Sequence, residues 1–131
     1  MTQPTEAGFR IINIIILESI FKREIDIDFQ KSIENKLELD ITGQKIEGSN
    51  NYAVEVMVIL NGLEADKSKY SFAIKMVGVF EKSGDPAISD EQFMNVNAPA
   101  IIFPFIREHI ASIALKGSIG TILLPPINFV K

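Results

Sequence analysis

The chain has 131 residues, 47% of them hydrophobic, with no cysteine, one histidine and a net charge of -4. That length suits a single domain with its own apolar core, and we predict one domain over residues 1–131. The absence of cysteine excludes disulfides, thiol catalysis and cysteine-ligated zinc. The acidic charge and the scattered basic residues argue against nucleic acid as a partner.

The N-terminal residues 1–8 are polar, and we predict that they form a flexible tail. They contain no basic segment followed by an apolar run, so no signal peptide is visible. The apolar stretch Phe9–Leu17 is shorter than the roughly 20 residues that a bilayer span requires, which predicts no membrane insertion. We therefore expect a cytoplasmic protein.

The stretch Phe9–Leu17 is rich in β-branched residues and predicts a first strand. Both of its faces are mostly apolar, which is typical of a strand that is covered on both sides or paired further. A long connection, Glu18–Asn35, then mixes charges with regularly placed apolar residues. These apolar residues either pack onto the core or bind a partner. The candidate binding residues are Phe21, Ile25, Ile27 and Phe29.

Three further strands are predicted from alternating apolar and polar residues. We place them at Lys36–Thr42, Tyr52–Leu60 and Tyr70–Glu81, with turn residues between them. Loops rather than helices join the four strands, which predicts an antiparallel meander. Gly78 indicates a bulge or a close backbone approach in the last strand.

A long helix is predicted near the C-terminus, after a short helix that Ser89 caps. Pro99 suits a first helical turn, whereas Pro104 predicts a kink or a later start. An apolar stripe begins at Ile102, and Gly117 is expected to end the helix with a positive φ. The predicted fold class is therefore α+β, a four-stranded antiparallel meander sheet packed against a long C-terminal helix.

One helix covers only one face of such a sheet, so apolar surface remains for a second copy of the chain. The two-faced first strand and the small residues on one side of the helix are the candidate contact surfaces. We therefore predict a homo-oligomer. Its predicted interface residues are Ile12, Ile14 and Ile16 in the first strand and His109, Ala111 and Ser112 in the helix.

The sequence contains no arrangement of residues that suggests catalysis. One histidine without cysteine leaves no catalytic triad and no His-rich metal cluster, and no glycine motif for phosphate binding occurs. The closely spaced acids Glu24, Asp26 and Asp28 are typical of a solvated face. We predict a protein that is not an enzyme and that requires no metal and no cofactor.

The stretch IIFPFIREHIASIALKGSIGTILLPPINF, residues 101–129, resembles the signature region of the SecB protein-export chaperones. The predicted first, third and fourth strands also resemble those of that family, in the same order. The chain looks like a short, divergent member. The matching motif residues are Phe103, Pro104, Phe105, Arg107, Glu108, Ser112, Lys116, Gly117, Leu124, Pro126, Asn128 and Phe129.

The resemblance implies an ATP-independent chaperone that holds unfolded polypeptides in apolar grooves and assembles as a dimer of dimers. In that family, first strands pair across the dimer and the helices pack at the tetramer interface. The implied partner is an unfolded polypeptide, in protein export or as a dedicated client such as an antitoxin.

Two departures from the family pattern bear on export. Lys75 and Lys22 stand where export members carry acids that dock the translocase ATPase, so the resemblance implies that this docking is disfavoured. The chain also stops at Lys131, where export members continue into a second helix that forms one wall of the client groove. We therefore expect a narrower range of clients.

Two alternatives remain open. The first is an oligomeric interaction module that has this fold but no general holding activity, and an aggregation assay distinguishes it from a chaperone. The second is a binder of small apolar ligands with a pocket between the sheet and the helix. A ligand that co-purifies with the protein would favour this second alternative.

Overall fold

The computed structural model describes residues 7–120, 122, 124 and 127–129. β1 extends through Arg23 instead of ending at Leu17, so the first part of the predicted connection is strand. Of the predicted N-terminal tail, Gly8 already belongs to β1, and residues 1–6 lie outside the described part. The elements are β1 (Gly8–Arg23), β2 (Glu34–Lys45), β3 (Asn51–Glu64), β4 (Lys67–Ser83), α1 (Asp90–Gln92), a π-helical turn (Phe93–Asn97) and α2 (Ala98–Lys116).

The four strands form one antiparallel sheet in the order β1-β4-β3-β2. The antiparallel sheet with a long C-terminal helix is confirmed, but the meander extends only over β2, β3 and β4. β1 instead pairs with β4, which gives a Greek-key order. The chain needs a long connection after β1 because a tight turn joins only neighbouring antiparallel strands.

β1 changes the phase of its side chains twice along its length. Extra residues at Ile12 and Leu17 interrupt its pairing with β4, as β-bulges do. Cross-strand partners in an antiparallel pair point to the same face. The register therefore places Ile14 and Ile16 on the helix face, the side of the sheet on which α2 lies, and Ile15 on the opposite side. Side chains alternate between the two faces within residues 8–11, 13–16 and 18–23 but not across the bulges.

The core lies between the middle of the sheet and α2. Every second side chain of β3 and β4 is buried on the helix face, from Tyr52 to Leu60 and from Tyr70 to Phe80. α2 contributes the buried stripe Ile102, Ile106 and Ile110. Because full burial of one such side chain contributes about 1.5–3 kcal/mol, this layer is the main source of stability.

The start of the helical segment is fixed by polar contacts. Ser89 Oγ accepts the backbone N–H of Gln92 at 3.0 Å, which confirms the predicted cap. The Asp90 carboxylate accepts hydrogen bonds from Lys82 Nζ at 2.8 Å and from Tyr52 Oη at 2.7 Å. These two donors, Lys82 foremost, hold the pKa of Asp90 below its ordinary value.

The ends of α2 differ from the sequence-based prediction. The helix begins at Ala98 and contains Pro104, whose ring is exposed, so the expected later start is wrong. At the C-terminal end Gly117 has a φ of -83°, and the positive φ of 53° belongs to Ser118. A Cβ at Gly117 would lie 2.5 Å from the Phe21 ring. Glycine is therefore required there for a close approach rather than for a left-handed backbone.

The helical segment Asp90–Lys116 is long and apolar enough to cross a membrane by length and composition alone, and 39% of its most apolar window is buried inside the protein. A core helix of a soluble protein passes the same test. The stripe that packs on β3 and β4 accounts for much of this apolar character.

Candidate functional site

The connection between β1 and β2, residues 24–33, carries the most exposed large apolar side chain of the described residues. Ile25 is 90% exposed and Phe29 is 49% exposed. Ile27 and Ile33 are half-buried and pack against the core. The connection therefore anchors itself with two apolar side chains and presents two others to solvent.

Phe21, which we predicted to lie in this connection, belongs to β1. Its ring is half-buried on the helix face, with its centroid 4.8 Å from that of Phe72. It also lies directly against Gly117 at the end of α2. Phe21 and Ile27 both pack against the core. Of the four candidate binding residues, Ile25 and Phe29 are therefore the two whose side chains are exposed.

Hydrogen bonds fix the backbone at the start of the connection. Arg23 donates to the carbonyl oxygen of Glu24 at 2.8 Å and to that of Ile25 at 3.1 Å. The Glu24 N–H donates to the Lys69 carbonyl at 2.9 Å, and Lys69 Nζ donates to the Glu24 carboxylate at 3.1 Å. The latter bond raises the pKa of Lys69. Ile25 is thus presented on a backbone that is held in place.

An open hollow of about 410 Å³ lies beside Ile25. Asp28 and Lys31 of the connection line it together with Glu64 and Lys69 of the β3–β4 hairpin. The hollow is therefore lined by both apolar and charged side chains. A bound peptide can bury an apolar side chain against Ile25 while its backbone meets donors and acceptors at the rim.

The open face of the sheet, the side turned away from α2, combines ion pairs with apolar side chains. Glu18 pairs with Lys75 at 2.9 Å and Arg10 pairs with Glu81 at 2.7 Å, both across β1 and β4. The hydrogen bond that Lys75 donates to the Glu18 carboxylate raises the pKa of Lys75. The apolar side chains on this face include Ile15, Ile20, Met57, Ile59, Val77 and Val79.

α2 turns a second stripe, with apolar residues at both ends and polar ones at its centre, away from the sheet. We define this outward stripe as Ile101, Phe105, Glu108, Ser112 and Leu115, which follow one another at spacings of 4, 3, 4 and 3. That is the spacing of a coiled-coil seam. Phe105 is 51% exposed and Leu115 is 65% exposed. The seam has no partner helix among the described residues.

The predicted interface residues are distributed over several surfaces. Ser112 lies in the outward stripe, and Ala111 flanks it. His109 Nε2 is 2.8 Å from Ser19 Oγ and so links α2 to β1 within the chain. In β1, Ile12 and Ile16 are exposed and Ile14 is half-buried.

Sequence reasoning missed Arg23 and most of the outward stripe. The spacing of 4, 3, 4 and 3 residues from Ile101 to Leu115 indicates this stripe in the sequence. The prediction used only the buried stripe of α2, whose apolar residues are more regular. No pattern in the sequence marks Arg23, because its acceptors are backbone carbonyl groups, and those of Gly117 and Ser118 lie 94 and 95 residues away.

The motif residues build core and tail rather than a polar site. The buried Phe103 ring lies 6.1 Å from that of Phe129, while Arg107 is half-buried and Glu108 and Asn128 are exposed. The predicted motif residue Pro126 lies outside the described residues. Within the described part of the chain, no group of three or more His, Cys, Asp or Glu could hold a metal ion.

Comparison with known proteins gives related sequences over most of the chain. The family model described as preprotein translocase subunit SecB matches residues 12–131. The protein-export protein SecB of Halorhodospira halophila is 33% identical over 82 residues, which are 63% of this chain and 47% of that protein. The protein of the same name from Legionella pneumophila (strain Corby) is 29% identical over 129 residues, 97% of this chain and 80% of that protein.

Two solved structures have a similar fold. A SecB-like chaperone from Mycobacterium tuberculosis, in complex with a ChAD peptide from the HigA1 antitoxin, matches with a TM-score of 0.80 at 12% identity and covers 92% of this chain and 91% of that one. A protein of unknown function from Streptococcus agalactiae matches with a TM-score of 0.53 at 5% identity, over 92% of this chain and 99% of that one. At these identities the likeness concerns the fold alone.

The residues matched by the family model include most of β1, all of β2, β3 and β4, and α2. SecB family members are chaperones and not enzymes, in agreement with the sequence-based prediction. With a family match that runs from within β1 to the last residue, the chain belongs to the SecB family.

Proposed function

We propose that the protein is an ATP-independent cytoplasmic chaperone that holds unfolded polypeptide segments at the connection between β1 and β2. The observation that carries this proposal is Ile25, which is 90% exposed on a backbone fixed by hydrogen bonds. Phe29 and the hollow beside Ile25 extend the apolar surface. Membership of a chaperone family supports the same function.

Burial of apolar side chains supplies the affinity in this proposal. A fully buried isoleucine or phenylalanine side chain contributes about 1.5–3 kcal/mol. The cost of ordering a flexible client reduces the net gain, so several such contacts give reversible binding without ATP. The charged residues Asp26, Asp28 and Lys31 beside the site keep the free surface soluble.

We further propose that the chain assembles as a homo-oligomer, a dimer of dimers, through β1 and the outward stripe of α2. β1 is an edge strand, and an unpaired edge can be extended by a strand of a second copy. The outward stripe has the spacing by which two helices pack as a coiled coil. Both surfaces expose large apolar side chains, which assembly would remove from water.

The proposed client is an unfolded polypeptide or a dedicated protein. The Mycobacterium tuberculosis relative was solved with a peptide from an antitoxin, which supports a dedicated client of this kind. Docking to a translocase ATPase is disfavoured, because Lys75 neutralises Glu18 and Lys22 adds a positive charge to the same open face.

Suppression of aggregation tests the chaperone proposal. The purified protein at a near-stoichiometric ratio is expected to suppress light scattering by a chemically denatured test protein. Ile25→Ser/Phe29→Ser should require about tenfold more protein, because two apolar contacts are lost. Ile46→Ser, at an exposed isoleucine in the β2–β3 turn, is the matched control and should behave like the unmodified protein. A folded protein that does not suppress aggregation would indicate the interaction module instead.

The alternative function, binding of a small apolar ligand between the sheet and α2, is less well supported than the chaperone function. Buried side chains from β3, β4 and α2 occupy the space between these elements. Four surface hollows of about 490, 410, 350 and 240 Å³ are lined by loop and strand-end residues instead. Native mass spectrometry of the purified protein is expected to give the mass of the polypeptide without a bound ligand.

A further inference from the structure

Arg23, the last residue of β1, binds backbone carbonyl groups from two distant parts of the chain. Its side chain donates to the carbonyl oxygens of Glu24 and Ile25, which open the connection. Its Nη1 also donates to the carbonyl oxygens of Gly117 and Ser118, which follow α2. Gly117 lies 94 residues from Arg23 in the sequence. One guanidinium group therefore joins the connection to the exit of α2.

Only an arginine can make this set of bonds. Its planar guanidinium carries five N–H donors in a fixed fork and remains charged, whereas a lysine offers three donors from one point. The last carbonyl groups of a helix lack intrahelical partners and form the negative end of its dipole. Arg23 thus binds the carbonyl group of Gly117, the C-cap residue of α2, and fastens the start of the connection at the same time.

The packing around Arg23 explains why the two segments come so close. Phe21, two residues earlier in β1 and on the same face, lies against Gly117. A side chain at position 117 would displace this ring and move the backbone away from β1. The Phe21–Gly117 contact therefore brings the acceptor carbonyl groups within reach of Arg23.

We propose that Arg23 is a positioning residue for client binding, because it fixes Ile25 relative to the exit of α2. This inference rests on the proposed function. An apolar side chain that is already held in its bound geometry loses less conformational freedom when a partner binds. Without the guanidinium, residues 24–33 would retain the Glu24–Lys69 contacts but lose the link to α2.

Hydrogen–deuterium exchange tests the link itself, without any client. Arg23→Ala and Arg23→Lys are expected to speed amide exchange in residues 24–33 and at Ser118 and Ile119. Lys22→Ala, on the opposite face of the same strand, is the control and should leave both regions unchanged. Arg23→Lys keeps the positive charge, so it remains informative if Arg23→Ala fails to fold. Unchanged exchange in both Arg23 variants would overturn the proposal.

A double-mutant cycle then tests the effect on binding. Reduced, carboxymethylated α-lactalbumin serves as the permanently unfolded probe, and its tryptophan fluorescence anisotropy reports binding because this chain contains no tryptophan. Arg23→Lys should weaken binding about two- to tenfold, the cost of ordering one or two side chains. The double variant Arg23→Lys/Ile25→Ala should bind no more weakly than Ile25→Ala alone, because Arg23 acts through Ile25.

The outcomes separate the two proposals. Fully additive effects of the two substitutions would overturn the positioning role of Arg23 while leaving chaperone activity intact. Failure of the unmodified protein to bind the probe would overturn the proposed function, and the positioning role with it, even if exchange responds to the Arg23 variants.

Discussion

At the residue scale, glycines placed against aromatic rings decide how closely segments of this protein approach one another. Gly62 in β3 lies under the ring of Tyr70 in β4, and Tyr70 Oη donates a hydrogen bond to Asn35 at the start of β2. Burial raises the pKa of the Tyr70 phenol. An aromatic ring over a strand glycine covers backbone that would otherwise be exposed. Tyr70 therefore joins three strands at one end of the sheet.

Gly62→Ala is expected to destabilise the fold, because the added methyl group overlaps the Tyr70 ring. Overpacking of this kind typically costs about 1–3 kcal/mol in the free energy of unfolding. Urea denaturation followed by circular dichroism measures the change. Gly8→Ala is the matched control, since a Cβ there meets nothing within 4 Å. An equal effect of the two substitutions would contradict the packing argument.

The Asp90 carboxyl group makes the free energy of unfolding depend on pH in the acidic range. Its pKa is lowered from 3.8, chiefly by Lys82 and then by Tyr52, so the folded state binds this proton more weakly than the unfolded chain. The resulting stabilisation is complete above the unfolded pKa and is lost as the pH falls through the folded pKa. Asp90→Asn should therefore show a shallower loss of stability below about pH 4 than the unmodified protein. Thermal unfolding across that range, with Asp40→Asn as the control on the open face, measures the difference.

At the element scale, α2 exposes large apolar side chains, Ile101, Phe105 and Leu115, on the side opposite its buried stripe. The buried stripe packs on β3 and β4, and the outward stripe faces away from the sheet. A surface helix of a globular protein normally has one apolar stripe. The second stripe is consistent with helix packing between copies of the chain.

Phe105→Glu is expected to disrupt the oligomer without unfolding the subunit, because it replaces a large exposed apolar side chain of the outward stripe by a second carboxylate near Glu108 and leaves the buried stripe intact. Multi-angle light scattering at micromolar concentration should give a smaller mass than for the unmodified protein. Gln92→Glu adds the same charge at an exposed position near the N-terminal end of the helical segment and should leave the mass unchanged. A subunit mass for the unmodified protein itself would rule out the proposed assembly.

At the scale of the whole molecule, a single sheet with one helix leaves apolar side chains exposed on β1, on the open face and on α2. If assembly covers part of this surface, stability should depend on concentration, because subunit association adds to the free energy of folding. We expect the Tm to rise by several degrees between about 1 and 100 µM protein, and Phe105→Glu to remove most of this dependence. Differential scanning fluorimetry measures both. A Tm that is independent of concentration would argue for a monomer.

Much of this architecture was readable from local patterns. The alternation in Tyr52–Leu60 and Tyr70–Glu81 and the buried stripe of α2 follow directly from side-chain periodicity. The position of β1 beside β4 could not be predicted from the sequence, because strand order depends on pairing between distant segments. The bulges in β1 were missed for the same reason.

The candidate site was predictable in part. Phe21, Ile25, Ile27 and Phe29 were predicted together as regularly placed apolar residues of the connection; the structure exposes Ile25 and Phe29 and packs Phe21 and Ile27 against the core. Composition does not distinguish an apolar residue that packs inward from one that faces solvent. Nor does it reveal Arg23, whose role depends on where the backbone of Gly117 lies.

The two bulges in β1 also determine how relatives of this protein should be aligned. They divide the strand into three pieces, residues 8–11, 13–16 and 18–23; odd-numbered side chains lie on the helix face in the first and third pieces, and even-numbered ones do so in the second. Loss of one residue at Ile12 or Leu17 in a homologue would remove a bulge and could be absorbed locally. Loss of one residue between the bulges, for example at Ile14, would exchange helix-face for open-face positions up to the next bulge. Single-residue alignment gaps in this strand therefore belong at positions 12 and 17, and a gap elsewhere signals a misplaced register.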